Sequence, residues 1–451
     1  MKFQYDRMYD VVVCVGGTAG VIAAIAAARR GAATLLIERQ GFLGGTATFG
    51  GPIMSFLGPE GKPIIGGIAE EIIGKLKDRG ATPGHIPYPR WNSFTPFNPE
   101  EFKNVIMQAY LDSGGELLLH GFIVDAEVRD TRIASVIIET GDGKLTIRGK
   151  FIVDASGDAH IAYKAGAPLE KSFPLQAGST MIRLGGFNKR RFVDFVRENP
   201  REIRGFNEGW NADLFEKSDY FAFCGLFSFL KESNEKRGLG LPREFICFNT
   251  SVPKDTIVMV ASRTASFDAT SVVELTQAEI ETRGQDSRLV ALLKQHVPGF
   301  EDTCLISSGY QIGIRETRRL KGAYVLSEED ILAAREFEDT VALGGYPIDV
   351  HYANRADNRF TLLKRSYEIP FRCLYAPGID NLAVAGRPIS VSPVAYGSTR
   401  VQSVCMAVGE AAGTAAALAV AGGIGVGEVG VRGIKGILRT QGAIVDKPVR
   451  N

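Results

Sequence analysis

The stretch Asp10-Val-Val-Val-Cys-Val-Gly-Gly-Thr-Ala-Gly20 decides the fold of this chain. An Ala-rich run follows it to Arg30, and then comes Thr34-Leu-Leu-Ile-Glu38. The order predicts a strand, a glycine turn, a helix and a second strand ending in an acid, which is the βαβ unit that binds dinucleotides. The glycines let the backbone approach a pyrophosphate, and the helix N-terminus offers free N–H groups at the positive end of its dipole.

Two positions refine this prediction. Glu38 is expected to bind the ribose hydroxyls of adenosine, and its charge disfavours the 2′-phosphate of NADP. The pattern G-x-G-x-x-G also requires a glycine at position 15, where this chain has Val15. Valine is β-branched and disfavours positive φ, so we expect the turn to keep φ negative while Val15 packs its methyl groups against the helix. The alternative is a distorted turn that binds its ligand weakly.

Two other segments imitate functional motifs. Gly425-Val-Gly-Glu-Val-Gly430 satisfies the glycine pattern fully, but it follows a predicted helix, so we interpret it as a turn. Between Val401 and Ile424 the only charged residue is Glu410, as in a membrane span. Because Ala and Gly dominate and large aliphatic residues are few, we predict a helix buried against a sheet and no membrane association.

Composition limits the possible partners and the compartment. With 52 Lys and Arg against 51 Asp and Glu, the net charge of +1 gives no electrostatic case for nucleic acid or an anionic membrane. The six cysteines are scattered without a C-x-x-C pair, and we interpret them as buried packing residues in a reducing compartment. The histidines show no metal-ligand spacing, so no metal is predicted. Without an apolar signal segment before the first strand, a cytoplasmic location is expected.

A chain of 451 residues is long enough for two or three domains. The dinucleotide-binding pattern and a strand meander occupy residues 1–165. A mixed α+β character over 166–365 predicts an inserted substrate domain. Residues 366–451 contain a buried strand and a long helix of small residues, and we predict that they complete the same domain as residues 1–165. Residues 80–98, rich in Pro, Gly and aromatics, are predicted to be a loop.

Several segments together resemble the FAD-dependent oxidoreductases of the glutathione-reductase-type fold, in particular a bacterial branch distantly similar to fumarate reductase flavoproteins. The matching segments span nearly the whole chain, and the C-terminal block is the most specific; they are Asp10–Arg29, Leu36–Thr46, Val153–Asp158, Ile312–Arg319, Ala342–His351 and Asn381–Ala417. The resemblance implies an α/β, Rossmann-like FAD-binding domain with an inserted mixed α+β substrate domain. It also implies FAD as the cofactor.

The resemblance assigns cofactor contacts by position. They are Val15, Gly16, Gly17, Thr18, Ala19 and Gly20 at the turn, Glu38 and Arg39 at the adenosine, Gly44, Gly45 and Thr46 at the pyrophosphate and flavin, Ala155, Gly157 and Asp158 near the ribityl chain, and Gly386, Arg387, Ser398 and Val401 in the C-terminal block. A helix starting near Ser398 is expected to direct its N–H groups at the flavin ring. Pro393 stands where many relatives carry a histidine, which removes one potential acid/base group.

Three residues are candidates for the chemistry. Arg315 could clamp a carboxylate or stabilise an enolate, or it could form a structural ion pair with Glu316 or a nearby acid. His351 could exchange protons, or it could be a core histidine with satisfied hydrogen bonds. Tyr396 could replace the missing acid/base group, or it could simply pack.

The sequence therefore predicts an enzyme that moves a hydride between FAD and a small polar or carboxylate-bearing metabolite. Its electron donor or acceptor is left open, as is a homo-oligomeric state. One alternative is a redox-silent or biosynthetic protein that uses the same fold to bind a dinucleotide. The other is a non-catalytic binding protein, which would hold FAD without turnover.

Overall fold

The computed structural model describes residues 7–353 and 358–448. Its first elements are β1 (Met8–Cys14), α1 (Thr18–Arg29), β2 (Thr34–Ile37), β3 (Ile53–Met54), α2 (Gly67–Asp78), β4 (Ile86–Tyr88), β5 (Asn92–Thr95), α3 (Pro99–Asp112), β6 (Glu116–Leu118), β7 (Phe122–Arg129), β8 (Arg132–Thr140), β9 (Gly143–Asp154) and α4 (His160–Lys164).

The middle of the chain contains β10 (Leu169–Glu170), β11 (Ile182–Gly185), α5 (Lys189–Glu198), α6 (Ala212–Glu216), β12 (Ala222–Gly225), α7 (Phe227–Lys236), β13 (Ile246–Thr250), β14 (Ile257–Met259), α8 (Val272–His296) and β15 (Cys304–Ser308). The remaining elements are β16 (Arg319–Leu320), α9 (Glu328–Ala333), β17 (Thr340–Gly344), β18 (Ile348–Val350), β19 (Arg359–Thr361), β20 (Tyr367–Pro370), β21 (Leu382–Val384), α10 (Tyr396–Thr399), α11 (Gln402–Gly422) and α12 (Val431–Thr440).

The main sheet confirms the predicted α/β class with a Rossmann-like core. Its strand order is β6-β2-β1-β9-β8-β7, and β21 also pairs with β9. The pairs β2–β6, β1–β2, β1–β9 and β9–β21 are parallel, whereas β7, β8 and β9 form the predicted antiparallel meander. Val11, Val12 and Val13 are fully buried, as expected for a parallel strand covered on both faces.

Helix α11 packs directly on α1, which explains its small residues. A Cβ added at Gly409 would lie 2.3 Å from the carbonyl oxygen of Ala19, and one at Gly413 would lie 2.0 Å from that of Ala23. Only glycine allows the two backbones this close approach. Among the described helices, α11 alone is long and apolar enough to cross a membrane, but 78% of its most apolar window is buried inside the protein. This matches the predicted core helix.

A second sheet, built from the middle of the chain, has the order β12-β13-β14-β11-β15. On the face that points away from the cavity, Phe223 of β12 and Phe248 of β13 pack against Phe192 of α5. The near face of the sheet packs against β4 and β5 through Tyr88, Trp91 and Phe94. The prediction of a loop over residues 80–98 is therefore wrong in part, because β3, β5 and β4 form a small antiparallel sheet.

The cysteine prediction needs correction. Cys224 and Cys247 occupy directly paired positions of β12 and β13 and form a disulfide. Cys304 is exposed, whereas Cys14, Cys373 and Cys405 are buried as predicted. Spacing along the chain gave no signal for the bond, since the two cysteines are 23 positions apart and only the strand register brings them together.

The predicted domain limits stay a prediction. The second sheet lies within residues 166–365. Apolar side chains of that range from Leu326 to Leu363, however, pack into the same core as α1 and α11.

Candidate functional site

A cavity of about 640 Å³ lies between the main sheet and the second sheet. This volume falls in the range of ligand and cofactor sites. Of the residues predicted to contact a cofactor, the following line it: Val15, Gly17, Thr18, Ala19, Glu38, Arg39, Gly45, Thr46, Ala155, Gly157, Asp158, Gly386, Arg387 and Val401. The others, Gly16, Gly20, Gly44 and Ser398, lie outside the lining.

The N-terminus of α1 is prepared for an anion. Gly17 occupies the N-cap position, and no side chain caps the helix. Its first N–H groups therefore remain available at the positive end of the helix dipole. A Cβ at Gly45 would lie 2.9 Å from the Cα of Gly17, so the two glycines bring their loops into contact at the cavity wall. This uncapped, glycine-lined turn fits a pyrophosphate.

Val15 does not behave as expected. Its φ is +79°, so it adopts the left-handed conformation that glycine would occupy in the pattern. The expectation of a negative φ is wrong. The turn is held from several directions, because the Val15 N–H donates to the carbonyl of Ile37 at 2.9 Å and a Cβ at Gly20 would lie 1.9 Å from the Val15 oxygen. The closely packed turn imposes a conformation that costs a β-branched residue free energy.

Glu38 is buried at the cavity wall and has two backbone partners. Its carboxylate accepts hydrogen bonds from the N–H groups of Gly16 and Gln40, each at 2.8 Å. Burial raises the pKa of Glu38, and these two N–H groups oppose the shift. Its predicted contact with adenosine stays a prediction. Arg39, beside it, donates to Gln311 from the exposed rim.

An ion pair joins two distant predicted segments. Arg387 pairs with Asp158, whose carboxylate also accepts from the Thr317 hydroxyl at 2.7 Å. A second guanidinium nitrogen of Arg387 donates to the carbonyl of Ile314 at 2.6 Å. The C-terminal block is therefore fastened to the end of β9 and to the segment before β16. Gly157 and Gly386 beside the pair both have positive φ, which their sharp turns require.

A second uncapped helix N-terminus reaches the cavity, but it starts later than predicted. Tyr396–Thr399 forms the separate short helix α10, and α11 starts at Gln402 with Val401 as its N-cap. Val401 and Gln402 line the cavity. Ser398 instead points inward, where it bonds to the hydroxyl of Tyr367 at 2.8 Å. The helix that was predicted to start near Ser398 and to direct its N–H groups at a flavin ring therefore starts at Gln402. Its contact with a flavin ring stays a prediction.

Arg315 lies in a cluster of buried guanidinium groups. One of its nitrogens donates to the carbonyl of Ala177 at 2.6 Å and to the hydroxyl of Ser179 at 2.9 Å. Arg243 donates to the same hydroxyl at 3.2 Å. Burial, with the charges of Arg400 and Arg243, lowers the pKa of Arg315 well below its ordinary value. We call Arg243, Arg315 and Arg400 the arginine cluster. The alternative ion pair with Glu316 is not formed, because that carboxylate pairs with Arg319. The nearby acid whose charge acts on Arg315 is Asp349.

The arginine cluster has little negative charge to balance it. Asp349 lies 3.7 Å from Arg400 and also accepts from His351 at 2.9 Å. Despite burial, His351 and the nearby arginines hold the pKa of Asp349 well below its usual range. Arg315 and Arg400 thus share the Asp349 carboxylate with a histidine, and the charges of Asp349 and Asp286 both act on Arg243. A buried excess of positive charge favours an anionic ligand.

His351 and Tyr396 do not line the cavity. Burial and the charge of Arg315 lower the pKa of His351 well below its usual range. Tyr396 is fully buried, and its hydroxyl has no hydrogen-bond partner among the described residues. Direct contact with a ligand is therefore not supported for either side chain. Pro393 is exposed and also lies outside the lining.

Sequence reasoning missed the wall that the second sheet supplies. Met181, Asn249, Val258 and Val260 line the cavity from this sheet, and Ser179 and Tyr346 lie at the arginine end. The Tyr346 hydroxyl is 3.5 Å from the Asp349 carboxylate, within reach of a weak hydrogen bond. Burial raises the pKa of Tyr346, so it keeps its proton. No local motif marks these residues, because only the fold brings them to the cavity.

Comparison with known proteins agrees with this geometry. The sequence matches the family described as FAD dependent oxidoreductase over residues 10–438. No curated protein matches it significantly.

Two solved structures are similar to this chain at low sequence identity. A geranylgeranyl bacteriochlorophyll reductase-like protein from Thermoplasma acidophilum is 12% identical, with a TM-score of 0.51, over 96% of this chain and 83% of that one. The p-nitrophenol 4-monooxygenase of Pseudomonas putida is 11% identical, with a TM-score of 0.46, over 95% and 83% of the two chains.

Proposed function

Because the chain belongs to the family of FAD dependent oxidoreductases, we propose that it moves a hydride between FAD and a small metabolite that carries a carboxylate. The observation that carries the substrate class is the arginine cluster at one end of the cavity. Arg315 and Arg400 line the cavity, and the nearby carboxylate of Asp349 is already shared with His351. A substrate carboxylate would balance the remaining charge.

The residues present fit FAD. The uncapped N-terminus of α1 would hold the pyrophosphate, and Glu38 and Arg39 lie where the adenosine would end. The uncapped N-terminus of α11 would face the flavin ring and stabilise negative charge on it. When bound, FAD supplies the two-electron chemistry, and the protein supplies binding, orientation and electrostatics.

Ser179 and Arg315 together form the proposed carboxylate clamp. The Ser179 oxygen accepts from both Arg315 and Arg243, so its own O–H is left to donate to a ligand. A guanidinium offers a planar pair of donors, which fixes the orientation of a carboxylate. The clamp would thereby hold the reacting carbon of the substrate in a defined place relative to the cofactor.

Proton exchange is assigned to Tyr346. It lines the cavity and holds its proton at the phenolic oxygen. Asp349 lies behind it and is in turn hydrogen-bonded to His351. His351 therefore acts as a positioning residue through Asp349. A separate electron acceptor or donor would exchange electrons with the bound cofactor.

The experiment is an anaerobic screen of small carboxylates and of their neutral amides, with flavin bleaching as the readout. Arg315→Lys should keep bound FAD and the melting temperature, yet slow bleaching by the carboxylate substrate, because lysine lacks the planar pair of donors. Arg190→Lys, at an exposed position of α5 away from the cavity, is the control and should bleach like wild type.

Two outcomes contradict the proposal. Equal bleaching by the carboxylate and by its amide would remove the clamp. Insolubility or marked destabilisation of Arg315→Lys would assign Arg315 to the fold instead.

A further inference from the structure

The Cys224–Cys247 disulfide lies on the face of the second sheet that covers the cavity. Asn249 lies two residues beyond Cys247 on β13, so the two side chains share a face. Across the sheet, the Val260 N–H donates to the Cys247 carbonyl at 3.3 Å. Asn249 and Val260 both line the cavity. Side chains of such cross-strand neighbours lie about 4.5–5.5 Å apart at Cβ.

The side chains around the disulfide also belong to the cavity wall. Met54, Tyr346 and Val401 line the cavity, and they pack in one apolar cluster with both cysteines. Cys247 keeps partial exposure although β13 is an interior strand of its sheet. Neither cysteine lines the cavity itself, but Asn249 and Val260, the neighbours of Cys247 on this face, do.

A cation stands beside the same face. The backbone N–H of Arg204 donates to the backbone carbonyl of Cys224 at 2.8 Å. The guanidinium carbon of the Arg204 side chain lies 3.9 Å from the ring centre of Phe245. Phe245 precedes Cys247 by two residues and packs in the same cluster. A nearby guanidinium favours the thiolate form of a cysteine. It would therefore assist the departure of a sulfur when the disulfide breaks.

We propose that this disulfide is a second redox centre, which exchanges two electrons with FAD. In the reducing direction, bound FAD in its reduced form would supply the two electrons and two protons that the disulfide takes up. The S–S bond breaks, one sulfur receives a proton directly, and the other leaves as a thiolate and is then protonated. The products are oxidised FAD and two thiols. The enzyme can thus hold four electrons, two on the cofactor and two on the cysteine pair.

This inference needs bound FAD but not the carboxylate substrate, so it is tested without one. The holoenzyme is photoreduced under argon with EDTA as the donor, so that electrons enter through the flavin. It is then quenched in acid, and its thiols are counted after denaturation. The oxidised protein should show four thiols per chain, from Cys14, Cys304, Cys373 and Cys405. The reduced protein should show all six cysteines as thiols.

Variants identify the source of the new thiols. The double variant Cys224→Ser with Cys247→Ser should take up two electrons per flavin, whereas wild type takes up four. Its flavin should bleach fully, and it should show four thiols both before and after reduction. Cys304→Ser, at an exposed position, should keep the gain of two thiols.

Three outcomes overturn the proposal. The first two are measured on the wild-type holoenzyme, and the third on the apoprotein. One is complete bleaching without new thiols, and another is six thiols in the air-oxidised protein. The third is an equal gain of thiols in illuminated apoprotein, because the electrons would then bypass FAD.

Discussion

Glu38 accepts a hydrogen bond from the backbone N–H of Gly16, with 2.8 Å between oxygen and nitrogen. Its other carboxylate oxygen accepts from Gln40. The acid at the end of β2 therefore fastens the glycine turn at the end of β1, in addition to lining the cavity where adenosine would end. Charge-assisted bonds of this kind are about twice as strong as neutral ones. The residue that marks a dinucleotide site in the sequence thus also shapes that site.

Glu38→Ala should weaken both the fold and FAD binding. Each lost hydrogen bond to the carboxylate is worth about 1.5–3 kcal/mol, and the Gly16 N–H would be left buried without an acceptor. FAD titration and urea unfolding of the apoprotein measure the two effects. Glu235→Ala, at an exposed position of α7, is the control and should change neither. An unchanged FAD affinity in Glu38→Ala would place the adenosine elsewhere.

The sequence predicted the main sheet well because its signals are local. Apolar strands such as Val11–Val13 and the glycine turn before α1 follow from neighbouring residues. Val15 shows where local reasoning fails. Its preference for negative φ is overridden by the packing of Gly20 against its carbonyl oxygen. Tertiary packing, which no window of sequence contains, decides that conformation.

Val15→Gly is expected to stabilise the apoprotein slightly. Glycine removes a left-handed strain of about 1–2 kcal/mol, and its larger freedom in the unfolded chain takes back about 0.5–1 kcal/mol. Val15→Ala is the matched control, since alanine keeps the strain and shortens the side chain. Urea unfolding should therefore rank the glycine variant above the alanine variant. A glycine variant that is less stable than the alanine variant by about 0.5–1 kcal/mol would mean that the backbone at position 15 carries no strain.

Gly413→Ala should separate α1 from α11. Its new methyl group would meet the backbone oxygen of Ala23, which cannot move aside like a side chain. Overpacking of this kind costs about 1–3 kcal/mol. The melting temperature and the flavin-to-protein absorbance ratio should both fall.

The matched control for this variant is Gly74→Ala in α2. A Cβ at Gly74 would meet no atom within 4 Å. The substitution should raise stability by about 0.5–1 kcal/mol, because alanine loses less backbone entropy in a helix. Similar effects of the two substitutions would contradict the close helix contact.

The wall formed by the second sheet was beyond prediction for a different reason. Asn249 and Val260 come from separate strands, and neither sits in a motif. The register between β13 and β14, and the way this sheet covers the cavity, are properties of the folded chain. The same register pairs Cys224 with Cys247. By contrast, Arg315 was found from the sequence because it lies in a segment that resembles a known family.

Glu410 should make stability depend on pH. It lies in the middle of α11 with 1% exposure, and one of its oxygens accepts from the Ile68 N–H at 3.0 Å. The other oxygen has no partner among the described residues. Burial raises the pKa of Glu410 from 4.5 to about 7. Folding therefore favours the protonated carboxyl.

The sign of the effect follows from proton uptake. Between pH 4.5 and about 7 the folded protein keeps the Glu410 proton, whereas the unfolded chain has released it. The free energy of unfolding should therefore fall as the pH rises through this window, by at most about 1.4 kcal/mol per pH unit. Burial likewise raises the pKa of Asp286 to about 7, so the wild-type slope contains both groups.

Glu410→Gln isolates the contribution of this one carboxyl. Glutamine can still accept from Ile68 and does not ionise, so urea unfolding across the window should give a flatter curve than wild type. Below pH 4.5 the two proteins should differ by a constant amount. Glu235→Gln on the surface should follow wild type throughout. Parallel curves for Glu410→Gln and wild type across the whole window would show that folding does not raise the pKa of Glu410.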